Sequence, residues 1–181
     1  MGIPTLIGSA HTASDASSVD ISSGIDSTYD EYMFVFTDIA PDTDNANLGF
    51  QVNATDGDGY NDSRIISSVP RMRHGEDGSL GDLIETDAEE LLGALTYCTL
   101  AAYLGSGSDE SVSGILHLFN PSSTALYKNF YSRFQGNISG DAKTVQWLVC
   151  GFIYDVTAID DISFKMSSGN FDGVIQMYGI A

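Results

Sequence analysis

Apolar residues recur at every second position along most of this chain, in short segments separated by turn-forming residues. Between 31 and 39, Tyr32, Phe34 and Phe36 share one side and Met33 and Val35 the other. Residues 47–54 alternate Leu48, Phe50 and Val52 with Gly49, Gln51 and Asn53, and residues 112–119 set Leu116 and Leu118 against Ile115, His117 and Phe119. At 162–167, Ile162, Phe164 and Met166 alternate with Ser163, Lys165 and Ser167. A period of two is the mark of a half-buried strand. Segments 3–8, 19–22, 64–69, 97–104, 127–134, 144–156 and 173–180 read the same way, and Gly, Pro, Asn and Asp punctuate the joints, as in Asn120-Pro-Ser-Ser123. About ten short strands with a turn roughly every eight to fifteen residues predict an all-β chain, an antiparallel β-sandwich of jelly-roll type, with residues 1–181 forming one domain.

The pattern also predicts the core and the end of the chain. Phe34, Phe36, Phe50, Leu118, Trp147, Phe152, Ile162 and Phe164 are expected in or near it. Segments 31–39 and 144–156 are apolar on both sides, which predicts cover on both sides, by the opposite sheet and by a neighbouring subunit. Ser168-Gly-Asn-Phe-Asp172 reads as a tight connection that folds strand 162–167 onto strand 173–180 as a closing hairpin. Two stretches are less regular. Within residues 1–18, the part from His11 to Ser18 is small and polar and reads as a loop or extended N-terminal arm. Residues 75–95 read as a long excursion with at most one short helix, for which Thr86-Asp-Ala-Glu89 fits a capping box ahead of Leu91, Leu92 and Leu95 and which Gly93 weakens.

Charge changes the picture most. Twenty-five acidic residues against 7 basic give a net charge of −18, spread along the chain with concentrations at 38–44, 56–62 and 85–90. Such a chain repels phosphate backbones and anionic head groups, which speaks against nucleic-acid partners. No apolar run approaches the roughly eighteen residues of a membrane span, so no membrane insertion is expected. No basic leader precedes an apolar stretch, and synthesis in a cytoplasm is the expectation. Cys98 and Cys150 both lie in apolar runs and read as buried thiols. Arg71-Met-Arg-His74 is followed by Glu76 and Asp77 and reads as a salt-bridge site.

Candidate chemistry is sparse. His11, His74 and His117 fall in an arm, a basic turn and a strand, and no nucleophile elbow or histidine-paired serine is legible, so no catalytic residue is assigned and the chain is read as a non-enzyme. His117, between Ile115 and Phe119, reads as a packed, hydrogen-bonded histidine. Asp160 and Asp161 are expected on opposite faces of a strand, unable to act together. The loop Asp56-Gly-Asp-Gly-Tyr-Asn-Asp62 offers hard oxygen ligands, but Tyr60 falls where an EF-hand needs a ligand, so it reads as a plain hairpin loop, and neither metal nor cofactor is assigned. Tyr60, Tyr103, Tyr127 and Tyr131 are the aromatics a glycan would use.

The segment Ile162-Ser-Phe-Lys-Met-Ser-Ser-Gly-Asn-Phe running into Tyr178-Gly-Ile180 resembles the C-terminal end of small β-rich structural proteins of tailed bacteriophages, particularly marine phages. In those, a strand ending in Ser-Ser-Gly-Asn is followed by one ending in Leu-Tyr-Gly-Ile; Met177 holds the leucine place here. Segments 23–36 and 111–123 and the aromatic strand from Tyr127 extend the likeness in order along the chain. The resemblance implies a non-enzymatic virion structural protein made in a host bacterium, placed in the tail-fibre and baseplate apparatus or decorating the capsid. It also implies a homo-oligomer, a trimer, contacting other virion proteins. The competing expectation is a carbohydrate-binding module that recognises host surface glycans. For an oligomer, the cations Arg71, Arg73, Lys128 and Arg133 are expected near the subunit contacts.

Overall fold

A computed structural model describes residues 2–61, 63–75, 81–85, 92–140 and 143–181. Strand residues make up 64% of the described residues, and the antiparallel β-sandwich expected from the alternation is what forms. The strands are β1 (Thr5–Ala16), β2 (Val19–Ile21), β3 (Glu31–Pro41), β4 (Ala46–Ala54), β5 (Ile65–Ser68), β6 (Pro70–Gly75) and β7 (Gly81–Glu85). They continue with β8 (Leu92–Ala94), β9 (Cys98–Leu104), β10 (Val112–Phe119), β11 (Lys128–Asn137), β12 (Lys143–Ile153), β13 (Ile159–Met166) and β14 (Phe171–Ile180). The larger sheet runs β1-β14-β3-β10-β11-β12-β5-β8, with β6 also paired to β12 and β7 to β6; the smaller runs β2-β13-β4-β9. Every pairing is antiparallel.

The sheets meet through aromatic rings. Phe34 and Phe36 of β3 and Phe134 of β11 project from the larger sheet, and Phe164 of β13 comes from the smaller. Phe164 packs edge-on to both Phe34 and Phe36, at centroid distances of 5.5 and 4.9 Å, and Phe36 meets Phe134 at 5.0 Å. Phe50 of β4 meets Phe130 of β11 edge-on at 5.0 Å. Edge-to-face contact suits the ring quadrupole and adds to the burial of large apolar surfaces. Trp147, Leu118 and Ile162 are buried in the same cluster.

Phe152 is not in it. Trp147 points inward on β12, and residues an odd number of places apart on one strand face opposite ways. Phe152 is therefore half-buried on the outer face, stacked on Tyr127. The same parity turns Cys150 outward, where it is exposed, correcting the expectation of two buried thiols.

The closing hairpin is likewise corrected. β13 pairs with β2 and β4 in the smaller sheet, whereas β14 pairs with β1 and β3 in the larger. Each strand buries one apolar row, and both rows face one core from opposite sides, so the chain steps across the sandwich. The step is tied to the crossing between β3 and β4: Asn170 N donates to Asp42 Oδ1 and Asp42 N to Asn170 O, both at 3.0 Å. Gly169 sits there at φ +70, and a Cβ on it would meet Asp42 Oδ1 at 2.0 Å, so only glycine fits this joint.

The segment expected as a loop or extended arm is strand. β1 pairs with β14 as far as Ala16, with register shifts between Ile7 and His11 and between Ala13 and Ala16. Its side chains are mostly exposed and its bonds are backbone bonds, so hydrophobic alternation is weak there. Bulges of this kind also blunt a sheet edge against further pairing. The helix over Thr86 to Leu95 falls largely on residues outside those described; the described Leu92–Ala94 is strand.

Replacing Phe164 with Ala removes the ring shared by Phe34 and Phe36. We expect a loss of about 3–5 kcal/mol of unfolding free energy by urea titration. An equal loss from Ile115→Ala, on the outer face, would refute this placement of the core.

Candidate functional site

The two outer faces of the sandwich differ in kind. On the smaller sheet, the outward side chains of β13 and β4 are polar and engaged with one another. Tyr97 OH donates to Ser163 Oγ at 2.9 Å, and Ser163 Oγ donates to Asp20. Gln51 Nε2 donates to the carbonyls of Ser63 and Thr96 at 3.2 and 3.1 Å. Gln51 and Ser163 are fully buried, because the segments after β4 and before β9 close over them. Tyr60 belongs to that cover. Burial, followed by the charges of Asp20 and Asp161, pushes its phenol up to about 12, so it stays protonated at neutral pH. Lys165 Nζ lies 4.1 Å from the Tyr97 ring centroid.

The register of β13 slips between Ile159 and Asp161, where two residues face one on β4. A bulge suspends the alternation. Asp160 and Asp161 therefore do not part to opposite faces as expected: both act on the Tyr60 phenol, and desolvation together with the Asp161 charge raises the pKa of Asp160. In the acidic loop, Gly59 N donates to Asn53 Oδ1 at 3.2 Å and Asp56 accepts from Thr157 Oγ1. Among the described residues, no three His, Cys, Asp or Glu side chains converge as a metal would require.

The larger sheet presents the opposite surface. Its side chains form cross-strand ladders read directly from the register. One runs Tyr178–Met33–His117–Tyr131–Cys150–Ser68 across β14, β3, β10, β11, β12 and β5. The next runs Gln176–Val35–Ile115–Arg133–Leu148. From Glu31 to Thr37, along β10, β11 and β12, and from Val174 to Ile180, the outward positions hold one acid, Glu31, and one cation, Arg133. Each is engaged: Glu31 bonds His117 Nδ1, and the Gln146 amide, oxygen towards Arg133, accepts from its Nε and Nη2 at 2.6 and 2.7 Å.

Rings concentrate on this face in two places. His117 lies near-parallel to Tyr131 at 4.5 Å and to Phe119 at 6.3 Å, so it is the packed, hydrogen-bonded histidine expected. Towards the β5 edge, Tyr127, Phe152 and Tyr154 form a second cluster with centroid separations of 4.7 to 6.5 Å. Tyr127 is 43% exposed and Tyr154 52%. Tyr154 was absent from the sequence-based aromatics; extending the Trp147 parity to 154 would have placed it outward.

The cations are scattered. Arg133 alone of the four lies on the ring-bearing face. Arg71 covers the Tyr103 ring at 5.1 Å, and Tyr103 itself has φ +60. The acids expected to answer the basic cluster, Glu76 and Asp77, lie outside the described residues. Lys128 corrects the expectation of a contact residue: it is fully buried, its ammonium donating to the carbonyls of Asp155, at 3.0 Å, and Thr157. Phe130 and Phe134 point inward, and Lys128 shares their parity. Desolvation lowers its pKa while the Asp155 carboxylate opposes the shift. Its role is to hold the connection from β12 to β13. Lys128→Met leaves both carbonyls without their donor, and we expect a loss of roughly 1–3 kcal/mol in urea melts; unchanged stability would show that this bonding contributes nothing.

Comparison of the chain with protein-family models, with curated proteins and with solved structures found no match.

The thiols give a direct check of the two faces. Burial pushes the Cys98 thiol up to about 12, so it is neither ionised nor reachable. Native protein should release one equivalent in a thiol-disulfide exchange assay and two when unfolded. Loss of that native equivalent in Cys150→Ser, and not in Cys98→Ser, confirms the assignment, whereas two native equivalents would overturn it.

Proposed function

We propose that the protein is a non-enzymatic structural protein that works as a closed homo-oligomer, a trimer, on the exterior of a tailed-bacteriophage particle, as a tail-fibre or baseplate module or a capsid decoration. The assembly part rests on one observation: in a chain with 25 acids and 7 bases, the two ladders carry no acid, Glu31 beside them is bonded to a histidine, and the described Asp38 and Asp172 stay at the strand ends. A second copy brings another −18, so contact between copies costs least where both surfaces carry no net charge. The ladder through Met33, His117 and Tyr131 and the ladder through Val35, Ile115 and Leu148 supply that surface, with apolar and aromatic groups at their centre.

The strand order supports a jelly-roll reading of the sandwich. One set of four strands runs β1-β14-β3-β10 and the other β2-β13-β4-β9, and the chain changes sheet on entering and on leaving each of β2, β4, β9 and β13. Strands β11 and β12, with β5 and β8, then extend the first set. Identical chains usually close about a symmetry axis, and the choice of a trimer rests on the phage resemblance, not on this face. Placement on a phage particle rests on the resemblance of segments 23–36, 111–123 and 162–180 to phage structural proteins.

Light scattering after gel filtration tests the assembly. An oligomer is expected at 0.15 M salt, weakening towards 0.01 M as the screening length grows from about 8 Å to about 30 Å. Ile115→Glu should give a monomer with an unchanged far-UV circular dichroism spectrum. A wild-type monomer at high protein concentration would sink self-association, and absence of the chain from purified particles by mass spectrometry would sink the virion assignment.

A further inference from the structure

We propose that the cluster of Tyr127, Phe152 and Tyr154 is a binding site for a neutral saccharide. The inference stands on this corner of the sheet alone and is independent of the assembly reading.

Two tyrosine rings stay in water here beside the half-buried Phe152, and the backbone holds them in place. Tyr127 precedes Lys128 and Tyr154 precedes Asp155, and the buried Lys128 ammonium donates to the Asp155 carbonyl, so one inward bond ties the bases of both tyrosines. Tyr154 N donates to Arg64 O at 2.7 Å, fixing the second tyrosine to the start of β5. The ring centroids are 4.7, 5.8 and 6.5 Å apart, and Tyr127 and Phe152 are within 20° of parallel. The neighbouring Tyr154 phenol, with burial, raises the pKa of the Tyr127 hydroxyl. A ligand therefore meets an ordered ring surface and need not immobilise it.

The chemistry around the rings selects the ligand. A pyranose has an apolar face of C–H bonds whose hydrogens carry partial positive charge, and these suit the negative face of an aromatic ring. Its hydroxyls need donors and acceptors at the rim. The two phenols supply both, as does the amide of Asn129, which is exposed and pairs with Phe152 in the register. Arg64, whose carbonyl accepts from Tyr154 N, is exposed, and its guanidinium donates to Gly93 O at 2.7 Å. The nearby Asp155 carboxylate is turned away, accepting from Thr157 N at 2.7 Å and Ser63 Oγ at 3.5 Å. Stacking alone would also suit a nucleobase, but a nucleic acid would bring its phosphates to a chain of charge −18. The same field disfavours an acidic sugar, so the ligand class is a neutral saccharide.

The test uses the full chain with hexasaccharides of β-linked glucose, α-linked glucose, mannose and N-acetylglucosamine, and with hexagalacturonate as the acidic control. Saturation-transfer NMR and calorimetry should show saturable binding of at least one neutral oligomer at about 10 mM or below. Tyr127→Ala and Tyr154→Ala should each weaken it by roughly tenfold or more. Leu83→Ala, an exposed side chain on β7 outside both ring clusters, should leave it unchanged. Circular dichroism and the native thiol count identify a variant that has merely misfolded, and Tyr154→Phe then serves in its place, losing affinity through the hydroxyl alone. No binding of any neutral oligomer would overturn the proposal. So would binding of the acidic oligomer alone, neutral binding indifferent to both alanine variants, or tyrosine variants that change oligomeric mass in place of saccharide affinity.

Discussion

The sandwich depends on the ring contacts that join its sheets. Phe164 stands between Phe34 and Phe36, and Phe50 against Phe130, so each sheet sets the spacing of the other by edge-to-face packing. Inter-sheet rings also fix which side of each strand is inside, because a shift of one residue in any register would turn its row of rings into water. The outward surfaces follow from that choice. With Phe34 and Phe36 inward, Met33 and Val35 must face out; with Phe130 and Phe134 inward, Tyr131 and Arg133 must face out and Lys128 must go in.

Much of this was legible in the sequence, and the errors share a cause. Alternation located the inward rows at 47–54 and 162–167, where the two sides differ in chemistry, and at 31–39 and 112–119 the core residues it named, Phe34, Phe36 and Leu118, are inward although both sides are apolar. It was less informative at 144–156, where both sides are apolar. There Trp147 and Phe152 were both assigned to the core although five places separate them, and Cys150 went in with them. Parity counted from the tryptophan separates the two rows without further information. Lys128 was misplaced because its charge outweighed its position, two residues before Phe130. β1 carried little signal, since an edge strand is held by backbone bonds to β14 rather than by a buried row. The bulge at Asp160 had no hydrophobic marker, and the crossing after β13 uses the same Gly-Asn chemistry as a hairpin turn.

Charge explains the contrast between the outer faces. On the smaller sheet, polar groups are tied to one another under Tyr60 and Tyr97, so Gln51 and Ser163 are buried with their bonding complete. On the larger sheet the described residues place no such cover over the two ladders, whose positions hold one charged side chain, Arg133. A chain that needed only solubility would place some of its 25 acids there. Among the described residues, Asp38 and Asp172 lie exposed at the ends of β3 and β14, and the span between them and Glu31 carries no further acid, so apolar contact costs least there.

The size of that region follows from an asymmetry between the sheets. The smaller has four strands, while the larger has ten, because β11, β12 and the strands paired to β12 continue it past β10. The inner side of this extension is filled by Phe134, Val145, Trp147, Val149 and Ile153, all buried, so the added strands are held by the same core as the rest. Their outer side adds Tyr131, Leu148, Cys150 and Phe152 to the ladders of β3, β10 and β14, and the turns at their ends bring Tyr127 and Tyr154. The extension thus enlarges the uncharged face and adds the second ring cluster at its far edge, about four strands from β14. Separation along one rigid sheet allows the two surfaces to meet different partners at once, because a contact centred on His117 need not cover the rings beside β5.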